Sequence, residues 1–162
     1  MARADSQVST VPTILDRLLD DEPTETRERP ADRYQRVKDL KRAVQRDLEA
    51  LLNTRQEALE AVPEDFTETR QSLVVYGLPD FSSLDLNSAA DRTHIRRAVE
   101  QAIANFEPRL DRVRVSLEQS KVVRGLHFRI EAILLLDPAP EPVTFDAELQ
   151  LTTQKYSVQG RE

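Results

Sequence analysis

Cysteine and tryptophan are both missing from this 162-residue chain, and glycine occurs only three times. Without thiols there can be no disulfides and no thiolate metal sites, which permits a reducing compartment without requiring one. Aromatic residues make up 5% of the sequence and charged residues 32%. The core must therefore be aliphatic and modest, and part of the burial is expected to come from partners. The longest apolar run, Ala132 to Leu136, covers five residues, against the ~20 that a membrane-spanning helix needs. Nor does the stretch Met-Ala-Arg-Ala-Asp-Ser at the start carry the apolar segment of a signal peptide, so a cytoplasmic location is expected. A net charge of −6 argues against a phosphate-binding surface as the main activity.

What is present divides into an arm, residues 1–29, and an α+β domain, residues 30–162. Residues 1–10 are small and polar and read as disordered. In residues 12–20, Ile14, Leu15, Leu18 and Leu19 make one face of a short amphipathic helix, with proline tolerated in its first turn. About two turns are too few to hold alone in water. Those leucines must dock, either back on their own domain or in a neighbouring subunit. Acidic residues bracketed by Pro23 and Pro30 follow as a linker.

The next segment is the most regular. Tyr34, Val37, Leu40, Val44, Leu48, Leu51 and Leu52 recur at steps of three and four, which predicts a helix with one apolar stripe. Its other faces are basic, either simply solvated or a docking surface for acidic groups. Residues 55–87 are irregular, and Ser72 to Tyr76 fits a helix or a strand equally well. Gly77 is expected at positive φ, with Tyr76, Leu78 and Phe81 anchoring the loop. A further helix is predicted over residues 88–106, opened by a Ser88/Asp91 capping box and buried through Ile95, Val99, Ala102, Ile103 and Phe106. Three alternating runs then predict strands: Val113 to Leu117, Leu126 to Leu136 and Val143 to Leu151. The fold class is two main helices on one face of a small, mainly antiparallel three-stranded sheet, plus the helical arm.

Between the last helix and the first strand stands Glu107-Pro108-Arg109. Proline drives the preceding residue out of helical geometry, so the helix ends near Phe106 and leaves a stiff corner. The plain reading is a helix stop with a local, exposed ion pair contributing ~0–1 kcal/mol. Phe106-Glu-Pro-Arg-Leu110, however, resembles the signature of the gpW/gp25 family of sheath-proximal baseplate proteins in contractile tails. Ile14 to Pro23, Val44 to Arg55 and Ser72 to Phe81 resemble that family too, in the same order, and more narrowly its TssE branch in type VI secretion. The resemblance implies a structural protein in a cytoplasmic baseplate, with TssF, TssG and TssK as wedge partners and TssB and TssC as sheath partners. It further implies that Glu107, Pro108 and Arg109 face the sheath, that the arm with Ile14, Leu15, Leu18 and Leu19 anchors in the wedge, and that the 72–81 loop braces the corner. On this reading, alanine at Glu107 and Arg109 abolishes sheath assembly but leaves the isolated fold intact. A phage-tail wedge protein is the alternative within the family.

A lysozyme-like label has also attached to this family. Glycoside hydrolysis needs two carboxylates about 5–9.5 Å apart across a sugar cleft. Glu107 could be the acid, with Asp111 or Glu131 as partner. Arg109 beside it favours the ionised carboxylate, however, and no tryptophan is available for a sugar to stack on. His94 and His127 stand in no metal-ligand spacing. No catalytic residue, metal or cofactor is expected.

Overall fold

The computed structural model describes residues 18, 33–56, 65–66, 68–69, 72–85, 87–119, 126–137, 139–150 and 155–161. Of the arm, Leu18 alone falls among them, helical and 75% exposed. Ile14, Leu15, Leu19, the acidic linker and the turn at 121–125 lie outside the described residues.

Helix α1 spans Arg33–Asn53 and buries Val44, Leu48, Leu51 and Leu52, as its stripe predicts. Helix α2, Ala89–Phe106, buries Ile95, Val99, Ala102 and Ile103. The Ser88 hydroxyl accepts the Asp91 amide at 3.3 Å, which is half of the expected capping box. The other half is replaced, because the Asp91 carboxylate accepts the Asp85 amide instead. Ser72 to Tyr76, ambiguous by pattern, is a 3-10 turn over Leu73–Val75.

Among the described residues four strands, not three, form the sheet: β1 Leu110–Gln119, β2 Leu126–Leu134, β3 Glu141–Gln150 and β4 Lys155–Arg161, antiparallel in the order β1-β2-β3-β4. The fourth strand escapes the period-two test because only Val158 in it is buried, beside the partly buried Tyr156. Its place is set by α1, which lies against it, while α2 lies against β1.

β1 begins at Leu110, earlier than its alternation suggests, because a bulge interrupts it. Leu110 and Val115 are both buried although they stand five positions apart, an odd step that regular alternation would put on opposite faces. An extra residue between Asp111 and Arg114 reconciles this, with Arg112 at φ +50°. Beneath the helices lie Phe128, Ile130, Leu134, Phe145, Ala147 and Val158. The other sheet face is polar, with Asp146 between Arg129 at 3.3 Å, Arg161 at 3.7 Å and His127 at 4.0 Å.

Tyr156 stacks against Phe128 with ring centroids 5.5 Å apart. Burial pushes its hydroxyl from an ordinary 10.0 up to about 12. Between those values the folded state keeps a proton that the unfolded chain gives up. Stability is therefore whole below pH 10 and is lost as pH rises toward 12. Urea unfolding from about pH 9 to about pH 11.5 should show a loss of ~1 kcal/mol per unit above pH 10, and Tyr156→Phe should flatten that slope.

Candidate functional site

The corner is built from the end of α2 upward. The Glu107 amide makes the last helical bond, to the Ile103 carbonyl at 2.8 Å, and proline then removes the donor that would continue it. The Leu110 amide returns to the Glu107 carbonyl at 3.1 Å, closing a four-residue turn with Pro108 in the second position, where its fixed φ is already suited. The Leu135 amide holds the Arg109 carbonyl at 2.9 Å, so the far side of the turn is fastened just beyond the end of β2.

The expectation of an exposed ion pair does not hold. Glu107 is 3% exposed and the Arg109 side chain 11%. Arg109 donates from Nε to Glu107 Oε1 at 2.6 Å and from Nη2 to Oε2 at 2.5 Å, a two-pronged pairing that matches the planar guanidinium to the carboxylate. The same Nη2 reaches Asp47 Oδ2 on α1 at 2.5 Å, and Arg46 holds the other Asp47 oxygen at 3.0 Å. Burial works against the charged guanidinium, but Glu107, and after it Asp47, outweighs burial and holds its pKa above the usual range. Of the three corner residues only Pro108 is exposed.

A loop props the cluster from one side. Tyr76 meets Phe106 edge-on at 5.1 Å, and its hydroxyl pKa is raised by burial first and then by the charges of Asp47 and Glu107. Gly77 beside it adopts φ +110°, and a Cβ there would stand 2.4 Å from the Thr54 carbonyl oxygen. The close approach is needed because Leu78 and Thr54 pair through their backbones, at 2.9 Å, at the end of α1.

Sequence reading missed Asp47. The signal was present: it sits seven residues after Leu40 and four before Leu51, so a carboxylate falls at the border of an otherwise apolar stripe. A charge in that position needs a buried partner, and Arg109 is that partner.

This geometry suits a fastening and not an acid. Both Glu107 oxygens are taken by a cation, whereas a glycosidase acid must hold a proton and face a sugar. Glu131 lies exposed on the polar sheet face, and Asp111 is exposed beside Arg112 at 3.6 Å. A groove of about 490 Å³ between α2 and β1 is bordered by Asp111 but not by Glu107. Among the described residues no three His, Cys, Asp or Glu side chains gather as a metal would require, and no helix is long and apolar enough to cross a membrane.

A family model described as baseplate wedge protein gp25 matches residues 38–139, which takes in most of α1, all of α2, the corner and the first two strands. A comparison with curated proteins gave no match.

Because the charges are buried, removing one partner strands the other. Arg109→Ala is expected to cost ~3–5 kcal/mol in urea unfolding, with Arg109→Lys recovering only part because it loses the fork. Asp47→Ala should cost less than the Arg109 change, and the double variant less than the sum, since one guanidinium serves both carboxylates. Gly77→Ala is expected to cost at least ~1–3 kcal/mol, from strain and from the collision with Thr54, read in the same assay.

Proposed function

This chain belongs to the gp25 family of baseplate wedge proteins, and from that premise we propose that it is the TssE-type baseplate subunit of a type VI secretion system. In this role it joins TssF, TssG and TssK in a wedge at the inner face of the cytoplasmic membrane. It also offers the sheath proteins TssB and TssC a surface on which polymerisation starts. The observation that carries this reading is the corner itself. Its charges are spent internally, and what it offers outward is Pro108 on a turn fastened at both ends. A rigid exposed turn costs little entropy to bury, which suits a docking point.

Glu107 and Arg109 then serve the sheath contact by holding Pro108 in position. This revises the expectation that alanine at both leaves the fold intact. The arm, residues 1–29, anchors the subunit in the wedge through Ile14, Leu15, Leu18 and Leu19, and the 75% exposure of Leu18 favours a partner for it. Residues 30–162 form the domain that meets the sheath. The sheet contributes its edge, where a strand from a sheath subunit can add by main-chain bonds.

The test is a tagged full-length chain recovered from its native cell, wild type beside Pro108→Asp. Wedge proteins are expected at wild-type level with Pro108→Asp, sheath proteins reduced at least about tenfold, and the melting temperature unchanged. Undiminished sheath recovery would remove Pro108 from the contact. Recovery of phage tail proteins instead would place the chain in the phage branch of the family.

A further inference from the structure

A sheet of four strands has two edges, and in this molecule they are treated differently. On β4 the backbone groups of Tyr156, Val158 and Gly160 point off the sheet edge, and α1 meets all four belonging to Tyr156 and Val158. Asn53 Oδ1 accepts the Tyr156 amide at 2.7 Å while Asn53 Nδ2 donates to the Tyr156 carbonyl at 2.8 Å. Glu49 Oε2 accepts the Val158 amide at 3.1 Å, and Gln45 Nε2 donates to the Val158 carbonyl at 2.8 Å. The three side chains are four residues apart on one helix face, a rise of about 6 Å per step. Outward groups on a strand repeat at about 6.6 Å, near enough for flexible side chains to follow. The Asn53 carboxamide faces Tyr156 as a peptide unit of a neighbouring strand would.

On β1, among the described residues, one such bond exists. The Val115 amide is accepted by Glu100 Oε1 at 2.9 Å, and Arg96 steadies that carboxylate at 3.0 and 3.1 Å. A carboxylate can accept but cannot donate, so it stands where an incoming carbonyl would sit without sealing the edge. The groove of about 490 Å³ runs beside the same strand, between Leu110–Val113 and the exposed Arg97, Gln101 and Ala104 of α2. The bulge after Asp111 breaks regular pairing at the start of β1, which leaves Arg114 onward as the straight part of the edge.

We infer that the Gln45–Glu49–Asn53 ladder is a fixed strand mimic that closes β4 at Tyr156 and Val158. A partner's extended strand therefore adds only along β1, from Val115 onward, displacing Glu100 as it docks. This rests on the strand-addition reading above and adds which edge is used and why only one strand can be accepted. The occupant is a backbone segment whose carbonyl replaces Glu100 on the Val115 amide.

Amide hydrogen exchange on the full-length chain tests the two halves separately. In the free protein, Glu49→Ala/Asn53→Ala is expected to speed exchange of Tyr156 and Val158 at least about tenfold, with the core amide of Ile130 unchanged as a control on folding. Glu49→Gln keeps an acceptor and should leave Val158 slow. If both amides stay slow in the double variant, the ladder does not cap the edge and the inference fails. In the presence of co-expressed sheath subunits, Leu117 is expected to gain protection while Tyr156 and Val158 gain none, and Glu100→Ala should bind them more tightly. New protection on β4 would overturn the edge assignment while sparing strand addition. Sheath binding with no gain on either strand would overturn both, even if the free-protein ladder result stood.

Discussion

One guanidinium holds the architecture at the point where helices become sheet. Arg109 is reached by Glu107 from the end of α2 and by Asp47 from the middle of α1, while its own carbonyl is fastened beyond β2. Two helices thus meet on one side chain that water scarcely reaches, and the backbone of the same residue ties in the end of β2. A buried ion set of this kind adds little net stability over an apolar packing of equal volume. Its contribution is geometric: it ties the end of α2 to the middle of α1 through directed bonds.

The position of Glu107 and Arg109 in a family signature would ordinarily suggest contact with a partner. Here both are spent inside the molecule, and the exposed member is the proline between them. Hence a signature can mark the support of a docking point as readily as the point itself. Tyr76 and Gly77 extend that support through the loop, packing a ring on Phe106 and bringing two backbones closer than any side chain at position 77 would permit.

Much of this was legible in the sequence. Helical stripes, strand alternation, the Ser88 cap and positive φ at Gly77 all rest on local rules that tertiary context did not override. The failures are of two kinds. β4 carries one buried residue and is held, besides its pairing with β3, by polar side chains of α1 about a hundred positions earlier, which no local period reports. Arg109 also pairs with Asp47, 62 residues away, so the pair Glu107–Arg109 read as purely local and exposed when it is buried and shared with α1. The bulge at Arg112 shifted the alternation of β1 and hid its first residues.

The contact of α1 with β4 also has a consequence in time. Each neighbouring pair in the β1-β2-β3-β4 meander is consecutive in the chain, so the sheet can zip as it is made. Helix α1 is synthesised early but its strand partners lie 103 to 113 residues further on. At roughly 5–20 residues per second, translation leaves its polar ladder waiting for about 5–20 s. Until β4 emerges, that ladder has no strand to meet.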